Sequence, residues 1–584
     1  MQGAPDNQPV PLPTVSGIPL VKGDFASFVE AVEYASGGAG GMNFYSARGE
    51  IIDQLSHKAL RRDAMAVAGR MLAAGLKPGD RIGVLAETIS DFARAFVGAF
   101  YAGLVPAPMP LPVAFGQREA YSEQIRRIAQ TMGARAMFAS PEFAEWVAEA
   151  MAPLNMAYTG PLGGLPEAAP IDTPPPTQSG DLAYLQFSSG TTGAPKGVAV
   201  THGSMMANLQ AIIKHGLKIG PEDRGVSWLP FYHDMGLVGC FLTPIATQLT
   251  ADYMATRDFI RRPLLWLELM SRNGCTVTYA PSFGYDLAIR RARGKAPEGL
   301  DLSSWRVAGI GGDMIKAPVI RRFSEVFGPA GFSPGAFVPS YGMAETTLAL
   351  TFTPLGEGLR TRRLDLAKLE RDMVAAPAEE GAPARDFALN GPALPEHEIQ
   401  IRDENGAPLP GDRVGRVFAN GPSLMREYFG DEDATVEALK DGWLDTGDLG
   451  YLTGGELVIT GRAKDLMIVN GRNIWPHDLE WSVEKEVEAI REGGAAAFSV
   501  TPDDSIGDPE EKVVVVVECR ARDADAREAI RDEVHEVVRV GHGVEAKIAL
   551  AGNGDLPQTS SGKLSRAKAR LMYLDGAFDL GATG

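Results

Sequence analysis

Short β-rich runs that end in small residues and lead into helical patterns constrain this chain more than any other feature. "RIGVLAE" (81–87) precedes Phe92, Phe96 and Phe100, spaced four apart and therefore on one helix face. "LAYLQF" (182–187), "VSWLP" (226–230), "TVTYAPS" (276–282), "VAGIGG" (307–312) and "FVPSYG" (337–342) repeat the scheme. Such alternation predicts an α/β fold with a doubly wound, largely parallel sheet. Ligands would then lie beyond the carboxyl ends of the strands, where the glycine-rich loops stand. At 584 residues the chain is too long for one compact core.

The pattern is interrupted twice. Residues 351–390 are charged, end rich in Ala and Pro, and read as a surface insertion with one short helix. From about Arg462 a small α+β domain is expected. Its predicted helix 477–491 carries Leu479, Val483, Val487 and Ile490 on one face, its strand 513–517 is all valine, and its helix 525–539 carries Ile530, Val534 and Val538. The predicted organisation is a flexible tail (1–16), a large domain (17–462) holding the insertion, a joint at 463–465 in "GRAKD", and a small mobile lid (466–584).

Composition narrows the function class. A net charge of −18 is unsuited to nonspecific nucleic-acid binding, which requires a basic surface. The uncharged stretch 235–251 contains Pro244 and Gln248 and falls short of a spanning helix, so no integral membrane segment is expected. The first residues lack the basic and apolar regions of a secretory signal, and Cys240, Cys275 and Cys519 are far apart; both features fit a cytoplasmic protein.

Glycine- and hydroxyl-rich motifs carry the chemistry. "FSSGTTGAPKG" (187–197) can cradle an anion, most often phosphate, through successive amide N–H groups. It is not the common nucleoside-triphosphate loop, because Lys196 follows Pro195 and precedes Gly197. In order follow "WLPFYHDMGL" (228–237), "SYGMAETT" (340–347), "DGWLDTGDLG" (441–450), "GRAKDLMIVNGRNIWPHDLE" (461–480) and "LPQTSSGKLSR" (556–566).

From about residue 40 to 572 this series resembles the adenylate-forming superfamily of acyl-CoA ligases and adenylation domains. Within it, "WLPFYHDMGLVG", residues 258–291 and "GRNIWPHDLE" are similar to the fatty acyl-AMP ligases, also called acyl-acyl-carrier-protein synthetases. The insertion fits too, since the spacing from Glu345 to Gly391 is about twice that of acyl-CoA ligases. Ser282 stands where Asn is usual in the branch, and "GIGGDMI" (309–315) replaces an "NGAEP" type.

The resemblance implies ATP and Mg²⁺ as cofactors and assigns residues to them. Ser188, Ser189, Gly190, Thr191, Thr192 and Gly193 would grip the ATP phosphates, with Lys196 as a mobile charge. Gly311, Gly312, Gly342, Met343 and Ala344 would line the nucleotide site and Tyr341 would offer adenine a flat face. Asp448 would accept from the ribose hydroxyls, and Arg462 would donate to ribose or phosphate; an Asp448–Arg462 salt bridge is the plainer alternative. Glu345, with Thr191, would hold Mg²⁺. His233 would stand near the acyl carboxylate. Lys563 would stabilise the carboxylate as it attacks the α-phosphate.

The implied reaction turns a fatty acid into its acyl adenylate, releases pyrophosphate, and passes the acyl group to the thiol of a holo acyl carrier protein. A long-chain fatty acid–CoA ligase is the alternative. The lid would turn about Lys464 and bring the Gly471 loop to the thiol. Carrier proteins are generally acidic, so a chain of this charge needs a local basic face. Arg566, Lys568 and Arg570 are the first candidate; Arg290, Arg291, Arg293 and Lys295 are the second.

Overall fold

The computed structural model describes residues 9–112, 118–187, 195–469, 471–500, 512–559 and 563–581. Its largest sheet has eight strands in the order Ala349–Phe352, Phe337–Gly342, Val307–Ile310, Val277–Ala280, Gly225–Ser227, Ala251–Met254, Gly41–Tyr45 and Ile51–Ser56. The inner strands pair in parallel, and an antiparallel strand closes each edge. A second, four-stranded sheet is parallel throughout and contains Arg81–Leu85. Helix Ser90–Tyr101 packs on it, and Phe92, Phe96 and Phe100 are all buried. Both sheets match the doubly wound α/β expectation. No helix of the described residues is long and apolar enough to cross a membrane.

One expected strand departs from the parallel scheme. Leu182–Phe187 pairs antiparallel with Gly197–Thr201. Too few residues separate the two strands for a crossover helix, so they close as a hairpin. Residues 188–194 between them, including the expected phosphate grip from Ser188 to Gly193, lie outside the described residues.

The carboxyl ends of the parallel strands converge. Ser227 leads into Trp228–Asp234, Ala280 into Pro281, Ile310 into Gly311, and Gly342 into Met343. After Asp234, residues Met235–Leu242 form π-helical turns, an uncommon geometry that recurs at functional sites. An antiparallel sheet that includes Gly415–Asn420, Trp443–Thr453 and Glu456–Arg462 stands beside these ends.

The small body begins after the 3₁₀ turn Ala463–Asp465. It holds a three-stranded mixed sheet (Ala495–Val500, Lys512–Glu518, Ala546–Ala551) and helices Pro476–Glu486, Ala524–His542 and Arg566–Leu574. The first of these helices is shorter than its apolar spacing implies. Val487 leaves helical geometry (φ −97°, ψ 103°), yet Val487 and Ile490 remain in the same core as Leu479 and Val483.

Two further expectations are corrected. The tail is not free over its described part. The buried Arg224 donates to Leu12 O at 2.8 Å, Leu12 N donates to Asn43 Oδ1 at 3.0 Å, and Thr250 donates to Pro13 O. The insertion is also more than a surface helix. It pairs strands Thr361–Asp365 and Ala384–Ala388 around helix Leu366–Asp372 and grips the small body. Arg472 reaches Glu370 at 2.6 Å, Asn473 donates to Glu370 O at 2.9 Å, and Arg385 pairs with Asp478.

Candidate active site

A cavity of about 1190 Å³ opens where the strand ends, the antiparallel sheet and the small body meet. It is lined by charged and polar groups, among them Glu345, Asp448, Arg462, His233 and Lys563, and by apolar ones, among them Ile212, Leu217, Ile219, Leu249 and Val277. Charged groups and apolar surface therefore share one space, as an amphipathic substrate requires.

Asp448 and Arg462 face each other across paired strands, so the register itself brings them together. Arg462 Nε lies 3.5 Å from Asp448 Oδ1, and the Tyr341 hydroxyl donates to Asp448 Oδ2 at 2.6 Å. Burial raises the Asp448 carboxyl above its ordinary range, against the opposing pull of Arg462, Tyr341 and Lys563. The salt bridge is present, but Arg462 keeps 59% of its side chain exposed, so it is not consumed by it.

Glu345 sits in the 3₁₀ turn Ala344–Thr346. The next residue, Thr347, is β-branched at φ 66° and is held by its hydroxyl donating to Ser423 O at 2.8 Å. A strained residue fixed in this way sets the direction of the turn before it. Glu345 is buried and accepts from the Tyr428 hydroxyl at 2.8 Å; burial raises its carboxyl, with Tyr428 working against the shift. Lys196 Nζ stands 4.7 Å from the centre of the Tyr428 ring. Tyr428 therefore links Glu345 to Lys196, and sequence reasoning missed it. Its "MREYFG" surroundings carry no motif, and only its pairing with Val198 reveals its place.

His233 Nδ1 is 2.7 Å from Asp234 Oδ1. Burial alone would raise Asp234, but His233 and then Lys563 outweigh it and hold the carboxyl low. Gly312 (φ +81°) requires glycine. A Cβ there would stand 3.3 Å from Met235 Cε and 3.8 Å from Lys563 Nζ. Lys563 is fixed at its base by Thr559, whose N–H donates to Lys563 O at 2.7 Å.

Of the other expected residues, Gly311, Gly342, Met343, Ala344 and Lys464 line the cavity. Gly471 is exposed in the turn between Met467–Val469 and Arg472–Ile474 and does not line it. The first basic docking stretch is corrected. Arg566 is held by Glu480 through two bonds of 2.7 Å and by Asp465 at 2.9 Å, and Arg570 donates to Ser499 O at 3.1 Å, leaving Lys568 as the exposed cation.

Comparison with known proteins shows the family of the chain. The family model for AMP-binding enzymes matches residues 44–429. The chain belongs to the AMP-binding enzymes. A Caulobacter vibrioides protein named "Putative acyl-CoA synthetase" is 50% identical over 97% of this chain and 98% of its own length. The medium-chain-fatty-acid–[acyl-carrier-protein] ligase JamA of Moorena producens is 30% identical over 96% of this chain and 97% of its own. A solved structure from studies of fatty acyl-adenylate ligases of E. coli and L. pneumophila superposes with a TM-score of 0.90 at 42% identity, covering 96% of this chain and 100% of that one. Within its family this AMP-binding enzyme falls in the fatty acyl-AMP ligase branch.

Adenylate-forming enzymes use ATP, and the donor set suits a magnesium–nucleotide complex. Magnesium usually takes one or two carboxylates and fills its remaining positions with phosphate oxygens and water. Glu345 offers one such carboxylate, and among the described residues no cluster of three or more His, Cys, Asp or Glu could hold a metal unaided. Thr191 lies outside the described residues.

The upward shifts of Asp448 and Glu345 predict a pH effect. Both gain protons at a higher pH than ordinary carboxylates, so the site loses negative charge early as pH falls. Tyr341→Phe removes a hydrogen bond that favours ionised Asp448. The acid limb of the pH profile of kcat/KM for ATP should therefore move to higher pH. A limb that stays put or moves down would show that Asp448 does not set it.

Proposed function

We propose that this enzyme joins a fatty acid to AMP and then passes the acyl group to the phosphopantetheine thiol of an acyl carrier protein. The observation that carries the adenylation step is the reach of Lys563 from the small body to Gly312, beside Asp234 and Asp448.

Tyr341 and Asp448 hold the adenosine, Asp448 accepting from the ribose hydroxyls and Arg462 donating to ribose or phosphate. Lys196 and the loop 188–193 take the outer phosphates. Glu345 would hold Mg²⁺, which offsets the charge crowded between phosphates. The acyl chain lies against apolar lining residues such as Ile212, Leu217, Ile219, Leu249 and Val277, with its carboxylate near His233. A carboxylate oxygen bonds to the α-phosphorus, the bond to the bridging oxygen breaks, and pyrophosphate leaves. The Lys563 ammonium stabilises charge on the pentacoordinate phosphoryl group.

The product is a mixed anhydride whose AMP is a good leaving group. In the second step the thiol sulfur bonds to the carbonyl carbon, the carbon–oxygen bond to AMP breaks, and the thiol proton passes to solvent. The small body turns about Lys464, which withdraws Lys563 and brings the Gly471 loop inward. Similarity to JamA and the grip of the insertion on the small body support a carrier protein as acceptor.

The name of the Caulobacter relative favours a second reading, a fatty acid–CoA ligase with the same first step. Incubation with ATP, Mg²⁺ and a fatty-acid mixture, followed by mass spectrometry, separates the two. A mass gain on holo carrier protein with little acyl-CoA is the expected result. Acyl-CoA with unmodified carrier would overturn it.

A further inference from the structure

Helix Ser282–Ala292 ends in cations that the chemistry above leaves unused. Arg290 and Arg291 occupy its last turn, Arg293 closes it in left-handed geometry (φ 52°), Lys295 follows, and all four are exposed. Cations in a last turn complement the helix dipole, which accounts for Arg290 and Arg291. Arg293 and Lys295 lie beyond the helix, where that account ends. Among the described residues Arg291, Arg293 and Lys295 form no ion pair. Glu298 is the nearest carboxylate along the chain after them. Such a concentration of positive charge stands out in a protein of net charge −18.

The patch continues into the cleft between the two bodies. Arg290 holds Asp286 at 2.5 Å and Glu492 of the small body at 3.0 Å. Lys316, just after the Gly312 loop, holds Glu484 at 3.1 Å and Glu492 at 3.0 Å, both on the small body. Three carboxylates thus face two cations in a half-buried cluster. Burial first, and then the crowding of like charges, pushes Asp286 up to about 7; burial likewise pushes Glu484 up to about 7, and the nearby lysine only partly offsets it. A half-buried ion-pair cluster of this kind is held less tightly than its contact distances suggest, because desolvation offsets much of the attraction. Asp286, Arg290 and Lys316 also line the active-site cavity, so the patch and the reaction centre share one opening.

We propose that Arg290, Arg291, Arg293, Lys295 and Lys316 form the landing face for the acidic surface of the carrier protein, and that Glu484 and Glu492 cover part of it while the small body is docked for adenylation. When that body turns away it takes both glutamates with it. Arg290 and Lys316 are then released from the small body's carboxylates and act together with Arg291, Arg293 and Lys295. The face is complete only after acyl-AMP has formed, and it lies at the opening through which a phosphopantetheine arm enters. The proposal rests on the carrier protein being the acceptor.

The test uses the full-length enzyme, preformed acyl-AMP and the holo acyl carrier protein of bacterial fatty acid synthesis as probe. Transfer is then read apart from adenylation. Charge reversal in Arg291→Glu/Arg293→Glu/Lys295→Glu should raise the apparent KM for carrier about tenfold or more at low salt and flatten its salt dependence. Acyl-AMP formation, measured separately, should stay at the parent level. Glu484→Gln/Glu492→Gln should lower the carrier KM, because the covering charges are gone. Parent-like loading by the reversed variant overturns the face, and an unchanged KM in the glutamine variant overturns the covering. A parent enzyme that acylates CoA but not the carrier overturns the acceptor reading, and this proposal with it.

Discussion

Lys563→Ala should slow acyl-AMP formation by about 10²–10³-fold, the usual cost of removing one preorganised electrostatic contact from a transition state. ATP affinity should change little, because Tyr341, Asp448 and Arg462 are set by the strand register of the large domain and do not depend on Lys563. The side chain reaches Gly312, and its charge acts on both Asp234 and Asp448. A lysine placed only for solubility would not be set among buried carboxylates. Transfer from preformed acyl-AMP should survive the substitution, since the proposed second step removes Lys563 from the site. Near-parent adenylation by Lys563→Ala, measured as pyrophosphate release with a fatty acid, would remove this lysine from the mechanism.

The sequence motifs located residues that the fold brings to one cavity: Gly311, Gly342 and Glu345 at or just after strand ends, Asp448 within strand Trp443–Thr453, and Lys563 ahead of helix Arg566–Leu574. Tyr428 was not legible, because its role comes from pairing with a strand far away in sequence. Arg566 was misread for a related reason. A basic run shows how many cations a helix has but not which of them face inward, and Glu480 and Asp465 bury this one. Apolar spacing carried past Glu486 because it records burial, and the turn holding Val487 and Ile490 is as buried as the helix before it. The same limit hid the anchoring of Leu12–Thr14, which depends on Arg224 in the core of the large domain.

The second large effect concerns the joint between insertion and small body. Arg385 and Asp478 are 9% and 6% exposed, and the guanidinium lies 4.1 Å from the Phe387 ring centre and 4.7 Å from that of Trp481. Burial lowers the Arg385 pKa despite Asp478, the mark of a cation taken out of water at a cost. Removing only the carboxylate leaves that charge uncompensated, and breaking a buried pair in this way costs about 3–5 kcal/mol. Much of the cost would fall on the docked arrangement, because Arg385 belongs to the insertion and Asp478 to the small body. Asp478→Ala should therefore release the small body, raise proteolytic cleavage at residues 463–465 and slow acyl-AMP formation, which in the proposed mechanism needs Lys563 in place. It should also increase acyl-CoA formation if the insertion restrains the movement that admits free thiols. Arg385→Met with Asp478→Leu, which removes both charges and keeps apolar bulk, should restore much of the docking, because an apolar pair of similar volume avoids the desolvation cost. If Asp478→Ala leaves hinge cleavage and adenylation at parent levels, the insertion does not hold the small body through this pair.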